Sequence, residues 1–327
     1  MAKNRLFAAK NLTEGKPWKR IIEFTIPMLI GNIAQQFYNT ADSIIVGRYI
    51  GDNALAAVGS AGPILHLVLV LMVGISVGAG IMVAQYFGAQ DREHLSHTIG
   101  TCLTLTAISS LVIMLIGPLV SRPLLILLNT PESIIDWCTS YLNIFFWGIA
   151  GFSYYNILAG ILRGLGDSVS ALLYLVIATV INVVLDIIFV AGFGMGVPGV
   201  ALATVIAQAI SGVLCLLKLM RMTEHFDLNW SMLKIDRDLS LKIVKLGLPS
   251  GLTQAIFSLA MIVVQSLTNS FGEMVIACNV IVMRIDGFAM MPNFSFGSAM
   301  TTFTGQNIGA KKMERVELGM KHGTIMA

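Results

Sequence analysis

Charge is what this sequence has least of. Only 12% of its 327 residues are Asp, Glu, Lys or Arg, while 56% are hydrophobic. A soluble domain carries about a quarter charged residues, so a soluble globular chain is excluded and a multi-span helical membrane protein fits. Cysteine is also scarce. Cys102, Cys138, Cys215 and Cys278 fall in apolar stretches without pair or metal spacing and read as free, inert core thiols. No nucleophile–base pair, metal cluster or phosphate loop is visible, which argues against an enzyme and against any cofactor. Gly74, Gly78 and Gly80 form a packing pattern inside a helix, not a nucleotide loop. The basic N-terminus leads into a long hydrophobic stretch with no small-residue cleavage pattern, so no cleaved signal peptide is expected.

Long apolar runs take up most of the chain. A basic tail (1–16) precedes a first span over 17–46. The second covers 53–86, and a third ends near Gly117-Pro118. A fourth runs over 133–162, a fifth over 168–191 and a sixth over 199–220. A polar connection follows, then a seventh span (241–270), an eighth (274–304) and the start of a ninth segment. The fold class is all-α, with a six-helix N-lobe (1–221), a connection (222–240) and an incomplete second lobe (241–327). Lys and Arg gather in the N-terminal tail, at the end of the sixth span and in the connection after it. Arg48 and Arg122 alone fall on the opposite side. That asymmetry places the N-terminus in the cytoplasm of a plasma-membrane protein.

Polar residues inside these spans carry the functional reading. Asp186 stands among aliphatic residues with Asn182 four residues earlier, so both share one helix face. An amide and a carboxylate on one face suit a hard cation, Na⁺ or H⁺. The alternative is that Asp186 only hydrogen-bonds a neighbouring helix. Gln35, Asn39 and Asp42 form a polar stripe in the first span, which must face protein or a water-filled cavity. For Gln35 and Asn39, inter-helix hydrogen bonding and cavity lining weigh equally; for Asp42 a functional role is favoured. Pro27 should kink or loosen the same span. Given the orientation, Asp42, Asp186, Thr204 and Tyr141 lie at similar depth in the outer leaflet, which suggests one site if their helices are neighbours. Arg284 and Asp286 in the eighth span point to different sides, and separate structural partners weigh equally with a substrate or proton role.

The chain also repeats itself. Gln85-Tyr86-Phe87-Gly88-Ala89 recurs as Gln306-Asn307-Ile308-Gly309-Ala310, Pro27 matches Pro249, and Gly51-Asp52 matches Gly272-Glu273. The shift is about 221 residues, and six spans per unit relate the copies by an axis along the membrane normal. The second copy is therefore expected to lack most of its helices. Residues 1–327 alone are then expected not to transport, with Gln254, Ser258 and Gln265 left without partners.

Together Pro27, Asp42, the Gln85–Ala89 motif, Arg163-Gly164-Leu165-Gly166-Asp167, Asn182 with Asp186, Gly199-Val200-Ala201-Leu202-Ala203-Thr204 and Gly305–Ala310 resemble the multidrug and toxic compound extrusion (MATE) family of cation-coupled antiporters. The resemblance implies two six-helix lobes in a V around a central cavity. It implies a cation site at Asp42, Asn182, Asp186 and Thr204, with Tyr141 close by. It also implies export of small organic, often cationic compounds against Na⁺ or H⁺, by a monomer in the lipid bilayer with no nucleic-acid partner. The chain departs from one branch of the family, which carries a glutamate in the seventh span; Gln254-Ala255-Ile256-Phe257-Ser258 holds no acid. Two other readings remain. A lipid-linked precursor or polysaccharide flippase would want several cationic groups in its cavity, and the spans offer mainly Arg284. A non-transporting receptor or scaffold would have no use for two intramembrane carboxylates.

Overall fold

The computed structural model describes residues 9–227, 229, 233–269 and 273–326. It is all-α: α1 (Pro17–Tyr49), α2 (Asp52–Gly88), α3 (Arg92–Leu127), α4 (Glu132–Trp147), α5 (Ile149–Gly164), α6 (Ser168–Asp186), α7 (Gly196–Met220), α8 (Arg237–Asn269), α9 (Glu273–Gly309) and α10 (Met313–Met326). A π-helical turn, Ile187–Gly192, continues α6. Among the described residues, five helices are long and apolar enough to cross a membrane, six if the bent pair α4–α5 is one span. The first and eighth expected spans are present as α1 and α9, but they do not reach that apolarity. Their polar residues, Gln35, Asn39, Asp42 and Asp286 among them, lower it.

Two expected boundaries are corrected. Gly117-Pro118 does not end the third span: α3 runs through Pro118 and Pro123 to Leu127. Gly117 is a packing point, where a Cβ would come within 2.6 Å of the Phe146 ring. Ser121 Oγ donates to Asn143 Oδ1 at 2.7 Å and ties the same helices together. Stopping a helix in lipid would strand more backbone groups than a proline does. The fourth span is not one helix; it breaks at Gly148, and its halves are bent by 53°. A side chain at Gly148 would overlap Val205, and one at Gly151 would crowd Ala209. The bend therefore lets α5 close on α7, a long-range packing demand that is silent in the sequence.

The first six spans form one bundle with two apolar cores. One, around Ile99, Leu158, Ile161, Leu162 and Cys215, fills the end nearest the termini of α2, α5 and α7. The other, around Val46, Ala57, Leu142, Phe146 and Val200, fills the opposite end. Cys102, Cys138 and Cys215 are free and buried; the side chain of Cys278 lies outside the described residues.

The second repeat docks through glycines. A Cβ on Gly78 would overlap the Ile243 carbonyl, and Gly74 lies against Gly247 and Gly251, so α2 and α8 touch backbone to backbone. The repeated motifs meet reciprocally: Gly88 packs on the Gln306 carbonyl, and Gly309 on the Gln85 carbonyl. α1 reaches α9 through Asn32 Nδ2, which donates to Ser295 Oγ at 2.9 Å. Ser258 is not the orphan expected of it; its hydroxyl sits 3.0 Å from His66 Nε2 on α2. Gln254 is exposed, and the side chain of Gln265 lies outside the described residues.

Capping fixes the loops. Asp167 caps α6, accepting from the Ser170 backbone N–H at 2.9 Å and from its hydroxyl at 2.7 Å, with Lys218 Nζ 3.6 Å away. Asp91 caps α3 by accepting from the His94 backbone N–H at 3.1 Å. That backbone hydrogen bond, opposed by slight burial and helped by the His94 side chain, holds the Asp91 carboxyl below the usual carboxylate range. Because the folded value is the lower one, the cap stabilises fully above the ordinary range and is lost as pH falls through the lowered value. Asp91→Ala is expected to cost about 1 kcal/mol at neutral pH and little in strong acid. Melting curves of both proteins that coincide at neutral pH would show that the cap contributes nothing.

Candidate functional site

The site is assembled from four helices. Tyr38 and Asp42 are one turn apart on α1, and Asn182 and Asp186 one turn apart on α6; Thr204 lies on α7 and Tyr141 on α4. Asn182 and Asp186 are fully buried, and Thr204, Tyr38 and Tyr141 nearly so. The amide of Asn182 faces both ways: Nδ2 donates to Asp186 Oδ2 at 3.1 Å, and Oδ1 accepts from the Thr204 backbone N–H at 3.3 Å. The Thr204 hydroxyl lies 3.4 Å from the same amide and accepts from Tyr38 Oη at 3.2 Å. The carboxyls of Asp42 and Asp186 come within hydrogen-bonding reach of each other, with Tyr141 close to both.

Two oxygens in this cluster have no partner among the described residues. Asp42 Oδ1 and Asp186 Oδ1 are buried, and neither accepts a hydrogen bond. Buried carboxylate oxygens left unsatisfied are costly, and two carboxylates in contact repel unless a proton or a cation lies between them. Among the described residues no three of His, Cys, Asp and Glu converge, so the donor set is two carboxylates with amide and hydroxyl oxygens. Such all-oxygen sets fit hard cations.

The π-helical turn starts at Ile187, one residue beyond Asp186, and closes with the Phe193 N–H donating to the Ile188 carbonyl at 2.9 Å. Wide turns of this kind occur often at functional sites. The structure therefore brings Asp42, Asn182, Asp186, Thr204 and Tyr141 together. Gln35 is half-buried on α1, and Asn39 and Asp286 are exposed. The Asp286 side chain makes no hydrogen bond or ion pair to any described residue, and the side chain of Arg284 lies outside them. Pro27 lines a small cavity with Asn32, Tyr155, Arg163 and Ser168. Sequence reasoning missed Tyr38 and Gln208, whose Oε1 is buried without a partner among the described residues. The signal was available for both, since Tyr38 stands four residues before Asp42 and Gln208 four after Thr204.

Comparison with known proteins decides the family. The MatE family pattern matches residues 27–188 and again 249–327, the second match opening on the proline that repeats Pro27. The chain belongs to the MATE family. A relative from Bacillus subtilis (strain 168), named probable multidrug resistance protein YoeA, is 32% identical over 314 residues, covering 94% of this chain and 68% of its own. A solved outward-facing multidrug resistance MATE transporter of the MOP superfamily superposes with a TM-score of 0.90 at 29% identity, covering 98% of this chain and 72% of that one. A MATE structure in complex with MaD3S matches with a TM-score of 0.91 at 29% identity, covering 98% and 73%. MATE proteins are multi-pass multidrug efflux transporters, not enzymes, and this chain has their fold over about 70% of their length.

Proposed function

We propose that this MATE protein exports small organic, often cationic compounds in exchange for Na⁺ or H⁺, coupled at Asp42, Asn182, Asp186 and Thr204. The observation that carries the reading is the pair of carboxyls within hydrogen-bonding reach, each with a buried oxygen that no described residue satisfies. A cation or proton entering there joins α1 to α6 and α7. Losing it leaves two repelling carboxylates and favours separation of α1 from the other two helices. The ion thus binds the two arrangements of α1 unequally, which exchange transport requires. Tyr38 and Tyr141 shape the site, with Tyr38 orienting the Thr204 hydroxyl. Pro27 gives α1 the freedom to move, Gln35 and Asn39 line the route on the same helix, and Asp286 and Arg284 offer charges on α9. The basic residues at the N-terminal end support a cytoplasmic position for that end. Helices α1 to α7 act as one lobe, and α8 to α10 belong to a second.

Ethidium efflux by the full-length protein in vesicles, with Na⁺ and pH gradients imposed separately, tests coupling. One gradient alone should drive efflux; equal efflux with neither gradient would refute it. Tyr38→Phe is expected to weaken the Thr204 contact and reduce ion affinity about threefold to tenfold, the size of one lost hydrogen bond. ²²Na⁺ binding or proton release reads this directly, and an unchanged affinity would remove Tyr38 from the site.

A further inference from the structure

We propose that residues 10–15, which precede α1, are a strap that latches the two repeats shut at the basic end of the molecule. The strap's backbone is held mostly by the second repeat. The Leu12 N–H donates to Gln306 Oε1 at 2.8 Å. The Leu12 carbonyl accepts from Arg315 Nη2 at 3.1 Å and from Asn307 Nδ2 at 3.4 Å. The Thr13 carbonyl accepts from Lys312 Nζ at 3.0 Å, and the Gly15 carbonyl from Arg315 Nη1 at 2.7 Å. Arg315 is itself aimed by Asn307, whose Oδ1 accepts from its Nε at 3.0 Å.

The other side of the strap belongs to the first repeat. Gln306 Nε2 donates to the Gly164 carbonyl at 3.0 Å, so the side chain that holds Leu12 also holds the end of α5. Gly166, at φ +85°, has no room for a Cβ because the Lys10 carbonyl lies against it. Leu12 itself is 1% exposed and packs with Ile21 and Phe24 of α1 and with Ala299 and Phe303 of α9. One apolar side chain is thus driven between α1 and α9 like a wedge, and the backbone around it is read by both repeats.

Two features make this a latch and not a permanent weld. The contacts of Lys312 and Arg315 to the strap lie at or near the surface, so water replaces them when they break. The strap also runs directly into α1, the helix that carries Asp42. Any motion that parts α1 and α5 from α9 and α10 at this end must release all of these contacts together. The proposal rests on the functional reading only for which side of the membrane opens.

Its test reads accessibility, not transport, so it can fail while the coupling site stands, and the reverse. Ala299→Cys places a thiol in the fully buried cluster beside Leu12, in a background with Cys278→Ser. A membrane-impermeant maleimide is applied to inside-out and right-side-out vesicles. In K312A/R315A, and separately in Leu12→Asp, labelling from the basic side is expected to rise about tenfold while labelling from the other side stays unchanged. In a Thr13→Cys/Lys312→Cys protein locked by a short thiol cross-linker, it should fall below the parent rate and recover on reduction. Parent-like labelling in both loosened variants, equal gains from both sides, or no effect of the cross-link would each overturn the strap.

Discussion

Asp186→Asn is expected to lower gradient-driven efflux by the full-length protein about a hundredfold, the upper range of a coupling free energy between two sites. The substitution keeps shape and the hydrogen-bond geometry near Asn182 but removes one of two neighbouring carboxyls. Ion binding should fall with it, because the remaining carboxylate of Asp42 then holds a cation alone. Drug binding and protein yield should change little, since the altered atoms are sealed among α1, α6 and α7. Transport under an imposed Na⁺ or pH gradient and ²²Na⁺ binding to the purified protein supply the two readouts. Wild-type efflux in this variant would end the coupling proposal, whatever the binding data showed.

Gly309→Leu has the largest expected effect on folding. The position faces the Gln85 carbonyl so closely that even a Cβ would overlap it, and Gly88 sits the same way on Gln306. Neither contact atom can retreat, because each belongs to the backbone of a helix that spans the molecule. Overpacking of a rigid site costs about 1–3 kcal/mol or more, and the upper end applies here. The crossing of α2 and α9 should open, and the protein should melt well below its parent or fail to accumulate in the membrane. Gly59→Leu is the matched control. It lies on the exposed side of α2 with nothing within 4 Å of a Cβ, and its effect should stay within about 0.5 kcal/mol. Equal melting temperatures for the two variants would show that the reciprocal glycine contact does not support the fold.

Physical periodicity explains how much could be read in advance. Apolar runs of twenty or more residues in a chain with 12% charge leave only one class of structure, because backbone groups in lipid must be satisfied within the helix. Asp186 and Asn182 were legible for the same reason: a charge in such a run is expensive, and spacing by four puts two side chains on one face. The glycine–proline pair misled because local rules treat it as punctuation. At Gly117 the deciding contact is the Phe146 ring, twenty-nine positions away in the chain by direct count and in van der Waals touch in space.

The sequence by itself determined the helical membrane class, the order of the spans, the repeat and the polar residues worth suspecting, because each depends on neighbours within a few turns of one helix. Only the tertiary structure decided that Asp42 meets Asp186, that Tyr38 joins Thr204, that α4 and α5 bend apart at Gly148, and that Leu12 is gripped by Gln306 and Arg315. Those outcomes depend on how helices far apart in the chain approach and rotate against one another. That in turn is set by the sum of many small packing contacts, and no local pattern of residues encodes such a sum.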